Sequence, residues 1–284
     1  MTFTFIQKET PYSHWELLQV ETGDRLRVVP ERGGLITEWR CKGQEILYFD
    51  LERFLRVDKS VRGGVPILFP LCGDLPGNSL ILEKGNFTIF QHGFARDSVW
   101  EIKPLNEKSG FVMSFSDNEQ SRSSYPYSFL IEINIHFLEN AIDFSISIKN
   151  NSDNLMPFSF GLHPYFNVTD LGQTKIIGLD STGLDHMTME KVQTKKQLSH
   201  LAKGVDFISG PSELVTIIDL VSGRKIHLHN TQPLDLTVIW TDPPRPMVCL
   251  EPWTSPRGSL IGGERVLSLE SGASKNLSWK ISAE

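Results

Sequence analysis

Three short stretches carry residue types that can move protons. Gln91-His92-Gly93-Phe94-Ala95-Arg96 sets an imidazole beside a glycine, with a guanidinium four residues on. Gly161-Leu162-His163-Pro164-Tyr165-Phe166 supplies a second imidazole, and Cys249-Leu250-Glu251-Pro252-Trp253-Thr254 supplies a carboxylate. A carboxylate of pKa ~4.3 and an imidazole of pKa ~6.5, before any perturbation, suit a base and an acid working near neutrality. A fourth stretch, Lys59-Ser60-Val61-Arg62-Gly63-Gly64-Val65-Pro66, offers a guanidinium whose planar fork suits ligand oxygens. Its two glycines let a backbone approach a ligand closely. The set predicts a general acid–base site for a neutral, hydroxyl-rich substrate.

Each residue also has a plainer reading. His92 alone reads as a partly buried histidine bonded to backbone, and Arg96 or Arg62 alone as surface or turn residues. Glu251 at a strand end reads as an ion-pair partner, with Arg257 a candidate. His163 is better marked. Phe158, Phe160 and Leu162 share one face of a period-two segment, and Ser159, Gly161 and His163 share the other. The apolar set faces the core, so His163 looks onto the opposite surface beside a small residue that leaves room. Glu251 closes the apolar run Met247-Val248-Cys249-Leu250, where partial burial would lift its pKa toward that of a useful base.

The elements that must hold these residues are strands. Ile142, Phe144, Ile146 and Ile148 alternate with Asp143, Ser145, Ser147 and Lys149, after a matching run from Phe129 to Leu138. Shorter runs follow the same period at 26–29, 35–39, 225–229 and 234–240. Hairpin turns are expected at Thr22-Gly23-Asp24, Lys42-Gly43 and Lys84-Gly85-Asn86, where glycine and Asn/Asp tolerate positive φ. Helix is expected only at 51–57 and 191–202, with long loops after Asn150 and from Asp180 to Pro211. No alternation of strands with helices signals a parallel sheet. The expectation is an all-β chain, a large antiparallel β-sandwich of two sheets, with residues 1–284 as a single domain.

Bulk properties narrow the partners. The net charge of −6 argues against a nucleic-acid surface, which needs a basic stripe. Three cysteines, Cys41, Cys72 and Cys249, lack CxxC spacing, which predicts free thiols, a cytoplasmic setting and no zinc motif. Met1-Thr2-Phe3-Thr4-Phe5 does not begin a signal peptide, and no apolar run approaches the roughly 20 residues of a membrane helix. Nucleophile-elbow, phosphate-loop, dinucleotide and HExxH motifs are missing. Cys72 has no basic neighbours to make it a thiolate and reads as buried.

In order and spacing, from Arg62 to about Gly272, these stretches resemble the aldose 1-epimerases, the galactose mutarotase-like proteins. The resemblance implies a β-supersandwich and the interconversion of sugar anomers. It makes His92 the first active-site histidine, His163 the general acid and Glu251 the base. An aspartate between His163 and Glu251 contacts sugar hydroxyls in the family; Asp206 and Asp185 both qualify. Arg62-Gly63-Gly64-Val65-Pro66 and His92-Gly93-Phe94-Ala95-Arg96 look like the hexose-6-phosphate epimerase branch, where arginines meet phosphate. Leu162-His163-Pro164-Tyr165-Phe166 and Glu251-Pro252-Trp253-Thr254 look more like the unphosphorylated side.

In the implied reaction Glu251 takes the proton of O1 and His163 protonates the ring oxygen. The open aldehyde rotates about C1–C2 and recloses. His92 orients the substrate, Arg62 and Arg96 bind hydroxyls or a phosphate, and Trp253, Tyr165 and Phe166 pack on the sugar's C–H face. The partner is a small sugar or sugar phosphate, and no metal, nucleotide or redox cofactor is required. Two rivals stay open. A non-catalytic carbohydrate-binding sandwich would hold Glu251 and His163 far apart. A glycosidase or lyase would need a second carboxylate placed across the bond. Oligomeric state is not written in these residues.

Overall fold

Strict alternation produces the best-defined pair. Phe129–Leu138 and Ala141–Asn150 run antiparallel in register Ile133↔Ile146 and Ile135↔Phe144, joined through Glu139 and Asn140. Phe129, Ile131, Ile133 and Ile135 of the first and Ile142, Phe144, Ile146 and Ile148 of the second are buried, while Ser145 and Lys149 face water. The computed structural model describes residues 2–105 and 109–284, so Met1 of the amino-terminal stretch lies outside it.

That pair centres an eight-stranded sheet, in spatial order Thr174–Ile177, Leu214–Asp219, Lys225–Asn230, Ser274–Ala283, Ala141–Asn150, Phe129–Leu138, Gly110–Ser116 and Glu101–Pro104. A second eight-stranded sheet runs Lys191–Gln193, Thr182–Asp185, Asp206–Ser209, Leu236–Trp240, Met247–Trp253, Gly161–Leu162 and Ile67–Leu68, with Tyr165–Asn167 also paired to Met247–Trp253. The amino-terminal strands from Phe3–Lys8 to Gln44–Glu45 form a five-stranded meander. All of these ladders are antiparallel. The chain is an all-β, large antiparallel β-sandwich. Its main core takes Leu17 and Trp39 from the meander, Ile133 and Trp279 from the first large sheet, and Phe207, Ile239, Val248 and Leu250 from the second.

Several local expectations need correction. The segment expected as helix from Lys191 begins as the strand Lys191–Gln193, and the helix is only Thr194–Leu198. Edge pairing with Thr182–Asp185 overrides the helical period there. The region 180–211 is therefore not a loop but an edge of the second sheet. At 51–57, Asp50 caps a single turn, Leu51–Phe54, by accepting the Arg53 amide. The hairpin expected at 84–86 turns at Glu83 and Lys84, because Leu82 pairs with Gly85. Among the described residues no helix is long and apolar enough to cross a membrane.

The second sheet positions the site. Along Met247–Trp253, Val248 and Leu250 enter the core, so Cys249, Glu251 and Trp253 face the opposite side. On neighbouring strands Asp206, Val238 and Trp240 share that face, since Asp206 pairs with Trp240 and Val238 with Glu251.

Candidate active site

A cleft of about 270 Å³ opens on this face, lined among others by Arg62, His92, Arg96, His163, Asp206 and Glu251. Drug-sized pockets span roughly 300–1,000 Å³, so the space suits one sugar ring better than a chain of them.

Register brings the acid and base candidates together. Gly161 pairs with Trp253, and Tyr165 pairs with Cys249. The strand is interrupted between these pairs, yet the register continues, and His163 falls opposite Glu251. His163 Nε2 lies 3.3 Å from Glu251 Oε1. The His163 amide donates to the Pro66 carbonyl at 2.9 Å, and its ring stacks flat on Tyr165, 4.7 Å between centroids. Burial and the charge of Asp206 hold the Glu251 carboxyl well above its ordinary range, against the Trp253 N–H, which donates to Oε2 at 3.1 Å. Burial, with the Arg96 and Arg62 charges, pushes the His163 imidazole down to about 3. Both shifts put a proton shared by the pair on Glu251.

His92 approaches from another wall. Its ring centroid is 5.7 Å from that of His163 and 5.7 Å from that of Trp253. It holds φ 67°, a left-handed value that non-glycine residues avoid. Two bonds to one residue fix it there: its amide donates to the Gly73 carbonyl, and its Nδ1 accepts from the Gly73 amide at 3.2 Å. With Nδ1 an acceptor, the proton sits on Nε2. Burial first, then the Arg96 charge, holds the imidazole well below its usual range, and it remains neutral.

Asp206 stands in the cleft; Asp185 does not. The Asp185 carboxylate accepts from the Met187 and Thr188 amides and from Gln197, closing its own turn. Asp206 Oδ1 meets His186 Nδ1 at 2.8 Å. The ring of His186 stacks on Trp253, with 5.8 Å between centroids.

The arginines are tethered at the rim. Arg62 lies over the Trp240 ring, 5.3 Å from its centroid, and donates to Ser60. Arg96 donates to the Gln91 carbonyl at 2.9 Å. Arg257 pairs with Asp74 at 3.1 Å, not with Glu251.

Three expectations about shape change. Gly63 and Gly64 serve the protein's own backbone: a Cβ there would meet Phe49 Cα at 2.5 Å or the Ile36 carbonyl at 2.3 Å. Gly161 leaves no open room, because Trp253 and Cys72 fill the space, each 2.8 Å from a Cβ at that position. Phe166 is fully buried in the core and cannot touch a sugar, whereas Trp240 is half-buried and lines the cleft. Trp253 is only 2% exposed and acts from beneath Glu251. Sequence reasoning missed His186, Trp240, Gln91 and Arg257. Of these, Trp240 ends a strand already expected at 234–240, Gln91 adjoins His92 and Arg257 follows Glu251 by six residues, which are the signals the sequence held.

A family model described as Aldose 1-epimerase matches residues 16–273. A curated relative from Cenchrus ciliaris named "Putative glucose-6-phosphate 1-epimerase" is 27% identical over 229 residues, covering 73% of this chain and 64% of its own length. A Salmonella typhimurium protein of the same name is 26% identical, covering 56% of this chain and 51% of its own. The chain thus spans less than two thirds of both. Among solved structures, the Slr1438 protein of Synechocystis sp. PCC 6803 superposes with TM-score 0.91 at 30% identity, over 100% of this chain and 99% of that one. A galactose mutarotase-like protein of Clostridium acetobutylicum shares the fold, with TM-score 0.84 at 17% identity over 99% and 98%. With the family model spanning nearly its whole length, this chain belongs to the aldose 1-epimerase family.

Proposed function

We propose that this chain, acting as one domain over residues 1–284, interconverts the α and β anomers of a hexose, with Glu251 as base and His163 as acid. The 3.3 Å contact between them carries the reading. O1 and the ring oxygen are both bonded to C1, so the two groups that serve them must stand side by side. The pair works with one proton between its members. Ring opening starts from ionised Glu251 and protonated His163. Glu251 takes the O1 proton, the C1–O5 bond breaks, and His163 protonates the ring oxygen. The pair ends as protonated Glu251 and neutral His163, the form that burial favours. Rotation about C1–C2 and the reverse transfers close the ring on its other face.

His92, holding its proton on Nε2, donates a hydrogen bond toward the sugar, and Asp206, steadied by His186, accepts from a hydroxyl. Trp240 offers a ring face to C–H groups, whereas Tyr165, 2% exposed and stacked on His163, backs the imidazole instead. The chemistry needs only these groups. A non-catalytic carbohydrate module would gain nothing from a buried carboxylate pressed on an imidazole, which costs stability.

A second reading places a phosphorylated hexose in the same site. It is favoured by Arg62, Arg96 and Arg257 all lining a cleft in which Glu251 is held toward neutrality. Polarimetry on fresh α-glucose, α-galactose and glucose 6-phosphate, with wild type and Arg96→Ala, decides both matters. No acceleration on any of the three would sink the epimerase assignment to these residues. Truncating a charged partner of a phosphate costs about 2–5 kcal/mol, and losing hydroxyl contacts about 0.5–3 kcal/mol. A loss of more than about a hundredfold confined to the phosphosugar therefore selects the second reading.

A further inference from the structure

Cys249 has no part in the proton transfers, yet it belongs to the same cluster. It precedes Glu251 by two residues on the cleft face of Met247–Trp253 and is fully buried. One ligand atom each from His163, Cys249 and Glu251 lie within 4.8 Å of one another. No local spacing announces this set, since His163 comes from outside Met247–Trp253 and meets it through register. We infer that these three side chains form a binding site for a thiophilic divalent cation, zinc above all, and that the cation is an inhibitor of this enzyme.

The chemistry fits zinc. Its bonds to sulfur, imidazole nitrogen and carboxylate oxygen are about 2.3, 2.0–2.1 and 2.0–2.2 Å, so tetrahedral neighbours sit roughly 3.3–3.8 Å apart. His163 and Glu251 are already at 3.3 Å, and Cys249 must close by about 1.5 Å at most to meet that spacing. The thiol and the carboxyl each release a proton on binding. Thiolate, carboxylate and neutral imidazole then balance the two positive charges, and a neutral complex tolerates burial. His163 and Glu251 line the cleft, so water or a sugar hydroxyl entering there would complete the tetrahedron. Magnesium prefers six oxygens and finds one carboxylate here. A bound cation occupies the atoms that must exchange protons, so inhibition follows if Glu251 and His163 are base and acid; binding does not depend on that reading.

The test uses the full chain with cobalt(II) and zinc(II). Wild type is expected to bind one cobalt ion with a thiolate-to-cobalt absorption band, which zinc displaces. Cys249→Ser, and Cys249→Val as a volume-filling second variant, lose the band and bind zinc at least about tenfold more weakly, as expected when a ligand is removed. Zinc abolishes mutarotation by wild type in proportion to occupancy, chelator restores it, and magnesium does neither. Absence of the band in wild type, or equal zinc affinity in all three proteins, overturns the site. A band accompanied by undiminished mutarotation overturns the inhibition. If no sugar is turned over at all, the function reading fails while the spectra still decide the site.

Discussion

Trp253→Phe probes how the shared proton is tuned. The indole N–H donates to Glu251 Oε2 at 3.1 Å and opposes the burial that holds this carboxyl protonated. Phenylalanine keeps an aromatic face against His186 and removes only the donor. A hydrogen bond to a charged group is worth about 1.5–3 kcal/mol. Removing it disfavours the ionised Glu251 and protonated His163 form by that amount, so kcat falls by at most about 10- to 150-fold. The proton is also held more tightly, and the alkaline limb of the pH–rate profile moves up by about 1–2 units. Because the pair, and not Glu251 alone, must carry one proton, raising the pH does not restore the lost rate. The assay is polarimetry from pH 5 to 10, with thermal melts to show that the variant is folded. Full recovery of the wild-type rate at high pH would refute the shared-proton scheme and make Glu251 an independent base.

Further outcomes follow from the same geometry. Glu251→Gln should cost at least about 10²–10⁴ in kcat. It should also raise Tm above wild type by a margin that widens from pH 5 to 8. The sign follows from a carboxyl whose folded pKa is raised: its stabilisation is complete below the unfolded value and is lost as pH climbs through the folded one. Gly161→Ala drives a Cβ to 2.8 Å from Cys72 Sγ and Trp253 Cδ1. Overpacking of this kind costs about 1–3 kcal/mol, and displacement of Trp253 should lower kcat as well, read by melts and polarimetry.

Legibility in the sequence tracked periodicity. The pair Phe129–Leu138 and Ala141–Asn150 was plain because one face is wet and the other dry. His163 was assigned to the correct face for the same reason: Phe158, Phe160 and Leu162 all enter the core. Met247–Trp253 gave less, because it is buried on both sides and its alternation disappears into a continuous apolar run. The choice between Asp206 and Asp185 was closed to sequence. Both lie in short strands of one sheet edge, and what separates them is register, which sets Asp185 opposite core-facing Phe207, together with the turn amides and Gln197 that claim its carboxylate. His186 carries no signal at all, since its contacts with Asp206 and Trp253 join residues 20 and 67 positions away.

The distance that matters most for chemistry is set by backbone and not by side-chain reach. Side chains directly opposite in an antiparallel pair have Cβ atoms about 4.5–5.5 Å apart, and His163 and Glu251 are related in this way through the pairs Gly161↔Trp253 and Tyr165↔Cys249. A slip of one residue would turn His163 into the core, and a slip of two would set it opposite Trp253 or Cys249. The interruption at Pro164 removes a ladder donor without changing the count of residues, so register survives where pairing does not. On the other side the register with Ile67–Leu68 carries on, since the His163 amide donates to the Pro66 carbonyl and the Tyr165 amide to that of Gly64. The stretch from Leu162 to Phe166 thus keeps strand register through Pro164, which sets His163 opposite Glu251, while the bonds to Pro66 and Gly64 hold it in place.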